Sequence, residues 1–382
     1  MTSVSLRASS PASWKAEVMT NVKAPSAAIE PTVARRYLLS VLAGLATCCA
    51  LFLALLVSLN ATGNLPPPAF ANSLCTDEKL SFLRDQQIES PNLLVIGSSV
   101  AWRHIDSETL VKMLPGTRPL NAGFCGLTAN QSAFVANWML DRYQSVRHVL
   151  MVVAPQDLTR CTATRTEIFN RADADKFVFG HEMRWPYYFK YFDPISLARG
   201  AATIKDRRMG RTEFDNLVMT QFGDGPLDTK LTREMGYEDL DPIDPACLGA
   251  LEALVARLNR EGRTFSIVTT PIHPGWIADG VSRGQFVAEA HARLATLTDK
   301  EKIPFWNAAT EWVTPKESFT DAIHLRWSVA KSFTAAVAQH LSGPLSHGPS
   351  DAVEHHPGPL RRRAMSALGE PAPERQGSTT FN

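Results

Sequence analysis

The chain has 382 residues, of which 45% are hydrophobic and 20% are charged, so it can bury one large core and a smaller additional unit. Its formal net charge is +1 at pH 7, which leaves no excess of Lys and Arg to neutralise phosphates. The composition therefore argues against nucleic acid as a partner and favours small molecules, glycans or proteins.

An uncharged apolar run near the N-terminus predicts a transmembrane anchor over residues 37–59. The run exceeds the roughly 20 residues that a hydrocarbon core requires. Residues 1–36 before it are rich in Ser, Ala and Pro and are expected to form a flexible cytoplasmic arm. The alternatives are a buried helix of a soluble core and a cleaved signal peptide. The stretch Ala69-Phe70-Ala71 resembles a cleavage site but lies well beyond the run, which favours a retained anchor.

The charges that flank the run predict its orientation. Acidic residues are among the first charges after the run, whereas basic residues outnumber acidic ones before it. The basic residues before the run are Arg7, Lys15, Lys23, Arg35 and Arg36. This bias places the N-terminus in the cytoplasm and the rest of the chain outside the inner membrane, in the periplasm or an equivalent space. The proline-rich stretch 60–74 is predicted to be a stiff linker.

Cysteine usage fits an exported domain. Two of the six cysteines lie in the apolar run, and the four others form an even number that suits disulfides in an oxidising compartment. Three pairings are possible. We favour Cys125 with Cys161 and Cys75 with Cys247, because the first two follow what we interpret as neighbouring strands. Four buried free thiols are the alternative.

A buried strand followed by Gly97-Ser98-Ser99 gives the first candidate for chemistry. Residues 93–96 read Leu-Leu-Val-Ile, which is typical of a strand buried on both faces of a parallel sheet. Gly97 permits a sharp turn, and Ser99 then emerges at the carboxyl end of the strand, where open α/β sheets place reactive groups. Ser99 is the candidate nucleophile, with ordinary loop chemistry as the alternative.

Two further strands end in polar loops that are expected at the same edge. A short strand at 119–121 leads into a loop with Gly126, and Thr128 with Gln131 forms a capping box that begins a helix. The strand 149–153 ends in a loop that carries the carboxamide of Gln156. Backbone N–H groups in such loops can bind an anion. Strands at 265–269 and 303–306 complete the predicted sheet.

The motif Asp321-Ala322-Ile323-His324 precedes an amphipathic helix near the C-terminus. An Asp three residues before a His can accept its Nδ1–H and leave Nε2 free to take a proton from a serine. His273, after the fourth strand, is a rival base or ligand contact. We rank it below His324 because no carboxylate lies in its loop.

With these segments in order, residues 93 to about 341 resemble the SGNH (GDSL-like) hydrolase superfamily. The Gly-Ser-Ser form of the first motif, at residues 97–99, is similar to that of membrane-anchored relatives involved in polysaccharide O-acylation, such as alginate acetylation and teichoic acid D-alanylation proteins. The resemblance implies a flavodoxin-like three-layer α/β sandwich with a central parallel sheet. It also implies a triad of Ser99, His324 and Asp321, and an oxyanion hole formed at Ser99, Gly126 and Gln156.

Three departures from the family pattern lie in the motif at residues 97–99 and in the motif at residues 154–157. Ser98 replaces an aspartate, Ala154 replaces a glycine and Gln156 replaces an asparagine. Gln carries the same amide donor as Asn, one methylene further from the backbone. It can therefore still donate to an oxyanion if the backbone lies slightly further from the site.

The resulting functional hypothesis is a membrane-anchored serine esterase or O-acyltransferase for an acylated glycan or a small ester. No cofactor or metal is expected, since no phosphate loop, zinc pattern or dinucleotide fingerprint appears. For a transferase, the resemblance suggests a multispan membrane acyltransferase as partner. The alternative is a non-catalytic SGNH-like module that binds polysaccharide or acts as a scaffold in an export complex.

The predicted domain covers residues 75–342 and contains an insertion at 158–245 that is too long for an ordinary βα connection. An aromatic cluster at 185–192 could stack on sugar rings, rest on the membrane interface or pack a small core of its own. Residues 343–382 are rich in Pro, Gly, Ser and Arg and are predicted to be a disordered tail.

Overall fold

The computed structural model describes residues 31–86, 88–211, 217–233, 235–236, 240–278 and 281–346. Most of the predicted N-terminal arm and the predicted tail beyond residue 346 lie outside these ranges. The chain forms two compact units. The first takes its residues from 1–81 and 182–216, and the second from 82–181 and 217–382.

The second unit contains a five-stranded parallel sheet with the strand order β2-β1-β3-β4-β5. This is the flavodoxin-like order, in which the connections reverse direction between β1 and β3. The predicted α/β class with a central parallel sheet is therefore confirmed. The strands are β1 Leu93–Gly97, β2 Pro119–Asn121, β3 His148–Val153, β4 Thr264–Thr269 and β5 Phe305–Trp306.

Thirteen α-helices connect or extend these strands within the described residues, together with 3₁₀ turns at Pro155–Leu158 and Lys316–Ser318. The helices are α1 Pro31–Ala61, α2 Leu74–Asp85, α3 Ser99–His104, α4 Ser107–Met113, α5 Ala129–Arg142, α6 Arg171–Val178, α7 Trp185–Lys190, α8 Pro194–Arg208, α9 Pro245–Arg260, α10 Pro274–Ala278, α11 Val281–Glu301, α12 Ala308–Glu311 and α13 Trp327–Ser346.

Helices cover both faces of the sheet, which explains why its strands are apolar along their whole length. Successive strand residues point to opposite faces. On one face, Val95 and Val152 share a buried cluster with Phe333 and Val337 of α13. On the other face, α5 packs against β1 and α9, and α9 packs against β4 and α11.

Gly97 ends β1 at a point where its backbone approaches β3 closely. Its φ is +139°, and a Cβ there would lie 2.2 Å from the carbonyl oxygen of Val152. A side chain at residue 97 would push β1 and β3 apart, so glycine is required directly before Ser98 and Ser99.

The first unit contains α1, α7 and α8. Helix α1 includes the predicted run 37–59 and, among the described residues, is the helix long and apolar enough to cross a membrane. Most of its side chains are exposed. Its length and composition fit a membrane anchor or a signal sequence.

The insertion after β3 is divided between the two units. Residues 182–216, with α7 and α8, belong to the first unit, whereas the flanking parts belong to the second. One of these parts binds the edge of the sheet, because Phe222 O accepts from Asn121 N at 2.9 Å and Gly225 N donates to Trp102 O at 2.7 Å.

Disulfides are present, but the predicted pairing is wrong. Cys161 is bonded to Cys247, which excludes the pairing of Cys161 with Cys125 and of Cys247 with Cys75. Cys75 and Cys125 are also disulfide-bonded, so the alternative of four free thiols is wrong too. The error arose because β1 lies between β2 and β3, so the loops after β2 and β3 do not leave neighbouring strands.

The Cys161–Cys247 bond joins the loop after β3 to the start of α9. The same segments share a β-bridge between Thr159 and Ile243 and a hydrogen bond from Asp244 N to Leu158 O at 2.9 Å. Asp244 also accepts from the hydroxyl of Thr162 at 3.0 Å. The disulfide therefore joins two segments that are also held together by backbone hydrogen bonds.

We expect the paired change Cys161→Ala and Cys247→Ala to lower the free energy of unfolding by about 4 kcal/mol, because the bond closes a long loop in the unfolded chain. The cysteines lie 86 residues apart. Guanidinium titration of the full chain in detergent, followed by circular dichroism, measures the loss. The matched control replaces Cys48 and Cys49, which are free and exposed. Equal midpoints for the two paired variants would contradict the expectation.

Candidate active site

Ser99 is the first residue of α3 and lies at the carboxyl edge of the sheet, directly after β1. The preceding residue is anchored to the third loop, since Ser98 Oγ donates to Asp157 Oδ2 at 2.9 Å. The same carboxylate oxygen accepts from Ala154 N at 2.9 Å. Asp157 is buried and thereby ties the loops after β1 and β3 together. Sequence analysis missed this role, although Asp157 stands beside the predicted donor Gln156.

His324 is oriented by Asp321 in the loop before α13. The ring Nδ1 lies 2.9 Å from Asp321 Oδ2 and 3.1 Å from Oδ1. Asp321 Oδ1 also accepts the backbone N–H groups of Ile323 at 2.9 Å and His324 at 2.7 Å. One carboxylate therefore holds both the ring and the backbone that carries it.

The charge of Asp321 follows from these contacts. Burial by itself would raise the pKa of the carboxyl group, but the donors on His324 and Ile323 outweigh it and hold the pKa well below its ordinary range. Asp321 is therefore ionised at neutral pH, and an ionised carboxylate can only accept, so the contact requires a proton on Nδ1 of His324.

The opposite ring nitrogen reaches Ser99. His324 Nε2 lies 2.8 Å from Ser99 Oγ, across 225 positions of sequence. With the proton on Nδ1, Nε2 accepts from the serine hydroxyl. A hydroxyl, an imidazole and a carboxylate in this order have the geometry required of a nucleophile, a general base and an orienting group, and their catalytic roles stay a prediction.

A second buried histidine supports the loop that carries His324. His104, the last residue of α3, has no exposed surface, and its Nε2 accepts from Leu325 N at 3.0 Å. Its Nδ1 lies 2.7 Å from Thr270 Oγ1, after β4. Burial, followed by the nearby His324, lowers the pKa of His104 well below 6.5, so the ring is neutral. The sequence carries no local signal for this role, because the partners lie far apart in the chain.

The rival base His273 is occupied elsewhere. Its Nδ1 accepts from Gly275 N at 2.9 Å, and its ring packs edge-on against Phe319 with 5.0 Å between centroids. Burial lowers its pKa. The ring that contacts Ser99 is that of His324.

Ser99 opens into a cavity of about 720 Å³, within the size range of small-molecule sites. Gly126 and Gln156 line this cavity together with Ser99 and His324. Gly126 has a φ of +65°, so the loop after β2 turns there. The structure thus places both residues at the site, and their role as oxyanion donors stays a prediction.

The remaining cavity wall contains both apolar and polar side chains. Apolar lining side chains are Leu127, Leu240, Trp276, Phe286 and Ile323, of which the last four belong to or pack against one apolar cluster; polar ones are Thr128, Gln131, Thr159, Arg160, Thr164 and Asp241. Within the described ranges, no group of three or more His, Cys, Asp or Glu side chains is arranged to hold a metal ion.

Comparison with known proteins identifies distant structural likenesses. No family model and no curated protein matches the chain. Solved structures similar to it include an acetyl xylan esterase (8% identity, TM-score 0.35, covering 66% of this chain and 98% of that one). A carbohydrate acetylesterase from Sinorhizobium meliloti (12%, 0.34, 66% and 99%) and an aryl esterase from M. smegmatis (14%, 0.32, 66% and 99%) are also similar.

The neutral His104 makes the native state sensitive to acid. As pH falls below about 6.5, the unfolded chain takes up a proton that native His104 refuses, so stability falls by up to about 1.4 kcal/mol per pH unit. His104→Gln keeps an acceptor for Leu325 N–H without a titrating group. We expect it to flatten the dependence of the unfolding free energy on pH, measured by denaturant titration between about pH 8 and about pH 5.

His104→Ala provides the matched comparison. It also removes the titrating group, but it leaves the Leu325 N–H and the Thr270 hydroxyl without the ring and should cost about 2 kcal/mol at neutral pH. If the wild type and both variants show the same slope against pH, His104 is not the neutral acceptor described above.

Proposed function

We propose that the chain is a membrane-anchored serine acyl esterase or O-acyltransferase of the SGNH type, acting on acyl esters, especially acetyl esters, of a cell-envelope or exported polysaccharide. The observation that carries the proposal is the 2.8 Å contact between Ser99 Oγ and His324 Nε2, backed by the 2.9 Å contact between His324 Nδ1 and Asp321. This geometry suits two-step acyl transfer through a covalent serine ester.

In the first step, Ser99 Oγ forms a bond to the ester carbonyl carbon while its proton passes to His324 Nε2. The carbonyl electron pair moves onto oxygen, where the backbone N–H groups at Ser99 and Gly126 and the Gln156 amide would stabilise the negative charge. When the carbonyl re-forms, the bond to the leaving oxygen breaks, and the alcohol departs with the proton from Nε2.

In the second step, a water molecule or a sugar hydroxyl gives a proton to His324 Nε2 and attacks the acyl-enzyme. This attack forms a second tetrahedral intermediate. When its carbonyl re-forms, the bond to Ser99 Oγ breaks, and Ser99 Oγ recovers the proton from His324 Nε2. Water yields a free acid, whereas a sugar hydroxyl yields a new ester. Asp321 remains ionised throughout and stabilises the charged imidazole that forms in each step.

The cavity supports a substrate with one small apolar group and one hydroxyl-rich group. Trp276, Phe286 and Ile323 provide a wall suited to a short acyl chain. Thr128, Thr164 and neighbouring polar groups provide hydroxyls and amides that can bond to a sugar. This mixed lining favours an acylated glycan over a uniformly apolar lipid ester.

The anchor and the disulfides support a location outside the cytoplasm. Helix α1 is long and apolar enough to cross a bilayer. The excess of basic residues before it favours a cytoplasmic N-terminus. The Cys161–Cys247 disulfide is typical of an oxidising compartment. For the transfer reaction, a multispan membrane acyltransferase is the proposed source of acyl groups.

The first test measures hydrolysis of 4-nitrophenyl acetate by the full chain in detergent. Because Ser99→Ala removes the nucleophile and His324→Ala removes the base, each should lower kcat by at least about 10⁴-fold. Asp321→Asn should cost about 10⁴-fold, since the ring then takes the wrong tautomer. The matched controls Ser282→Ala and His340→Ala change exposed residues and should keep full activity.

An inactive parent chain would favour the rival hypothesis, a non-catalytic polysaccharide-binding or scaffold module. If the parent is active, adding an oligosaccharide acceptor separates the two enzymatic outcomes. Acetylated oligosaccharide, detected by mass spectrometry and absent with Ser99→Ala, would favour transfer; free acetate as the sole product would favour hydrolysis.

A further inference from the structure

The segment of residues 183–195, here called the aromatic segment, exposes large apolar side chains that the proposed chemistry does not use. It contains α7 and the first residues of α8. The exposed fractions are 73% for Met183, 42% for Phe189, 58% for Phe192 and 62% for Ile195. Clustered exposed apolar groups of this size mark an interaction surface.

The aromatic segment packs on α1 within its apolar run. The ring of Phe52 meets Phe189 at 5.1 Å and Phe192 at 5.0 Å between centroids, both edge-to-face. Phe52 lies seven residues before Leu59, the last residue of the run, which corresponds to about 10 Å along a helix axis. If α1 crosses a bilayer, Phe189 and Phe192 therefore lie below the level at which the hydrocarbon core ends.

Polar contacts of the same unit lie at the end of α1 and beyond it. Arg184 donates to Asn60 Oδ1 at 2.6 Å, and Arg208 donates to Asn64 Oδ1 at 3.1 Å. The hydroxyl of Tyr188 donates to Pro66 O at 2.5 Å. Apolar rings at the level of Phe52 and cationic or hydroxyl groups above it follow the vertical order of a membrane interface.

The apolar surroundings that α1 requires must also extend over the aromatic segment. Side chains along α1 are exposed, including Leu45 at 60% and Leu51 at 66%, so the helix requires an apolar surrounding. Because Phe189 and Phe192 contact this helix and are themselves partly exposed, the same lipid would bathe them. Basic residues nearby, such as Arg184 and Arg199, suit anionic headgroups.

We propose that the aromatic segment inserts into the outer-leaflet interface of the bilayer that α1 crosses, forming a second, monotopic membrane contact. A single spanning helix is free to rotate about its axis. Insertion of Phe189, Phe192 and Ile195 beside it would fix which side of the first unit faces the lipid. This inference rests on α1 as a membrane anchor and is independent of the acyl chemistry.

The test places a photoreactive diazirine amino acid at Phe192 in the full chain, reconstituted in vesicles of phosphatidylcholine and phosphatidylglycerol. Two matched positions serve as controls: Leu45 within α1, and Val313 in the second unit, which is 89% exposed. All three side chains are exposed, so their replacement should preserve folding.

We expect mass spectrometry to find lipid adducts at positions 192 and 45 and none at 313. Adducts at 45 without adducts at 192 would overturn the proposal, as would cross-links from 192 to another protein chain. Absence of adducts at both 45 and 192 would remove the anchor and the proposal with it. The hydrolysis assay on Ser99→Ala is unaffected by any of these outcomes, so failure here is distinct from failure of the acyl chemistry.

Discussion

The hydrogen bond between Ser99 Oγ and His324 Nε2 joins two loops that lie 225 positions apart, and much of the second unit serves to hold it. Ser99 follows β1 at the carboxyl edge of the sheet, beside the point where the strand order reverses, and the loop before α13 brings His324 to it. Gly97 lets β1 approach β3 so that Ser99 begins a helix directly at that edge. Asp321 fixes the ring of His324, and His104 holds the backbone of the next residue.

Two buried ionisable groups beside this bond differ in charge state, because only one of them is surrounded by donors. Donors surround Asp321, so its charged form is stabilised even though the carboxyl group is mostly buried. His104 is fully buried and must accept an N–H, which requires the neutral ring. The site therefore keeps a negative charge at Nδ1 of His324 and an uncharged ring beneath the backbone of the next residue, a distribution that suits the proposed role of His324 as a base.

Much of the fold could be predicted because a strand covered on both faces must be apolar along its length, as Leu93–Gly97 is. The proximity of Ser99 and His324 could also be predicted from the sequence, because one residue follows a strand and the other precedes an amphipathic helix. The role of His104 could not be predicted, since its partners Leu325 and Thr270 are set by tertiary packing. The disulfide pairing failed for a different reason: it treated the strands before Cys125 and Cys161 as neighbours, although the flavodoxin-like order places β1 between β2 and β3. The division of the insertion between two units likewise depends on packing against α1.

The most direct test of the account is covalent labelling of the full chain with a fluorophosphonate, followed by peptide mass spectrometry. The reagent bonds to a serine whose hydroxyl is activated by a neighbouring base. The account predicts one labelled peptide, with the adduct on Ser99, and loss of that adduct when His324 is replaced by Ala. An unlabelled Ser99, or labelling that persists without the His324 imidazole, would contradict the claim that these two side chains act as nucleophile and base.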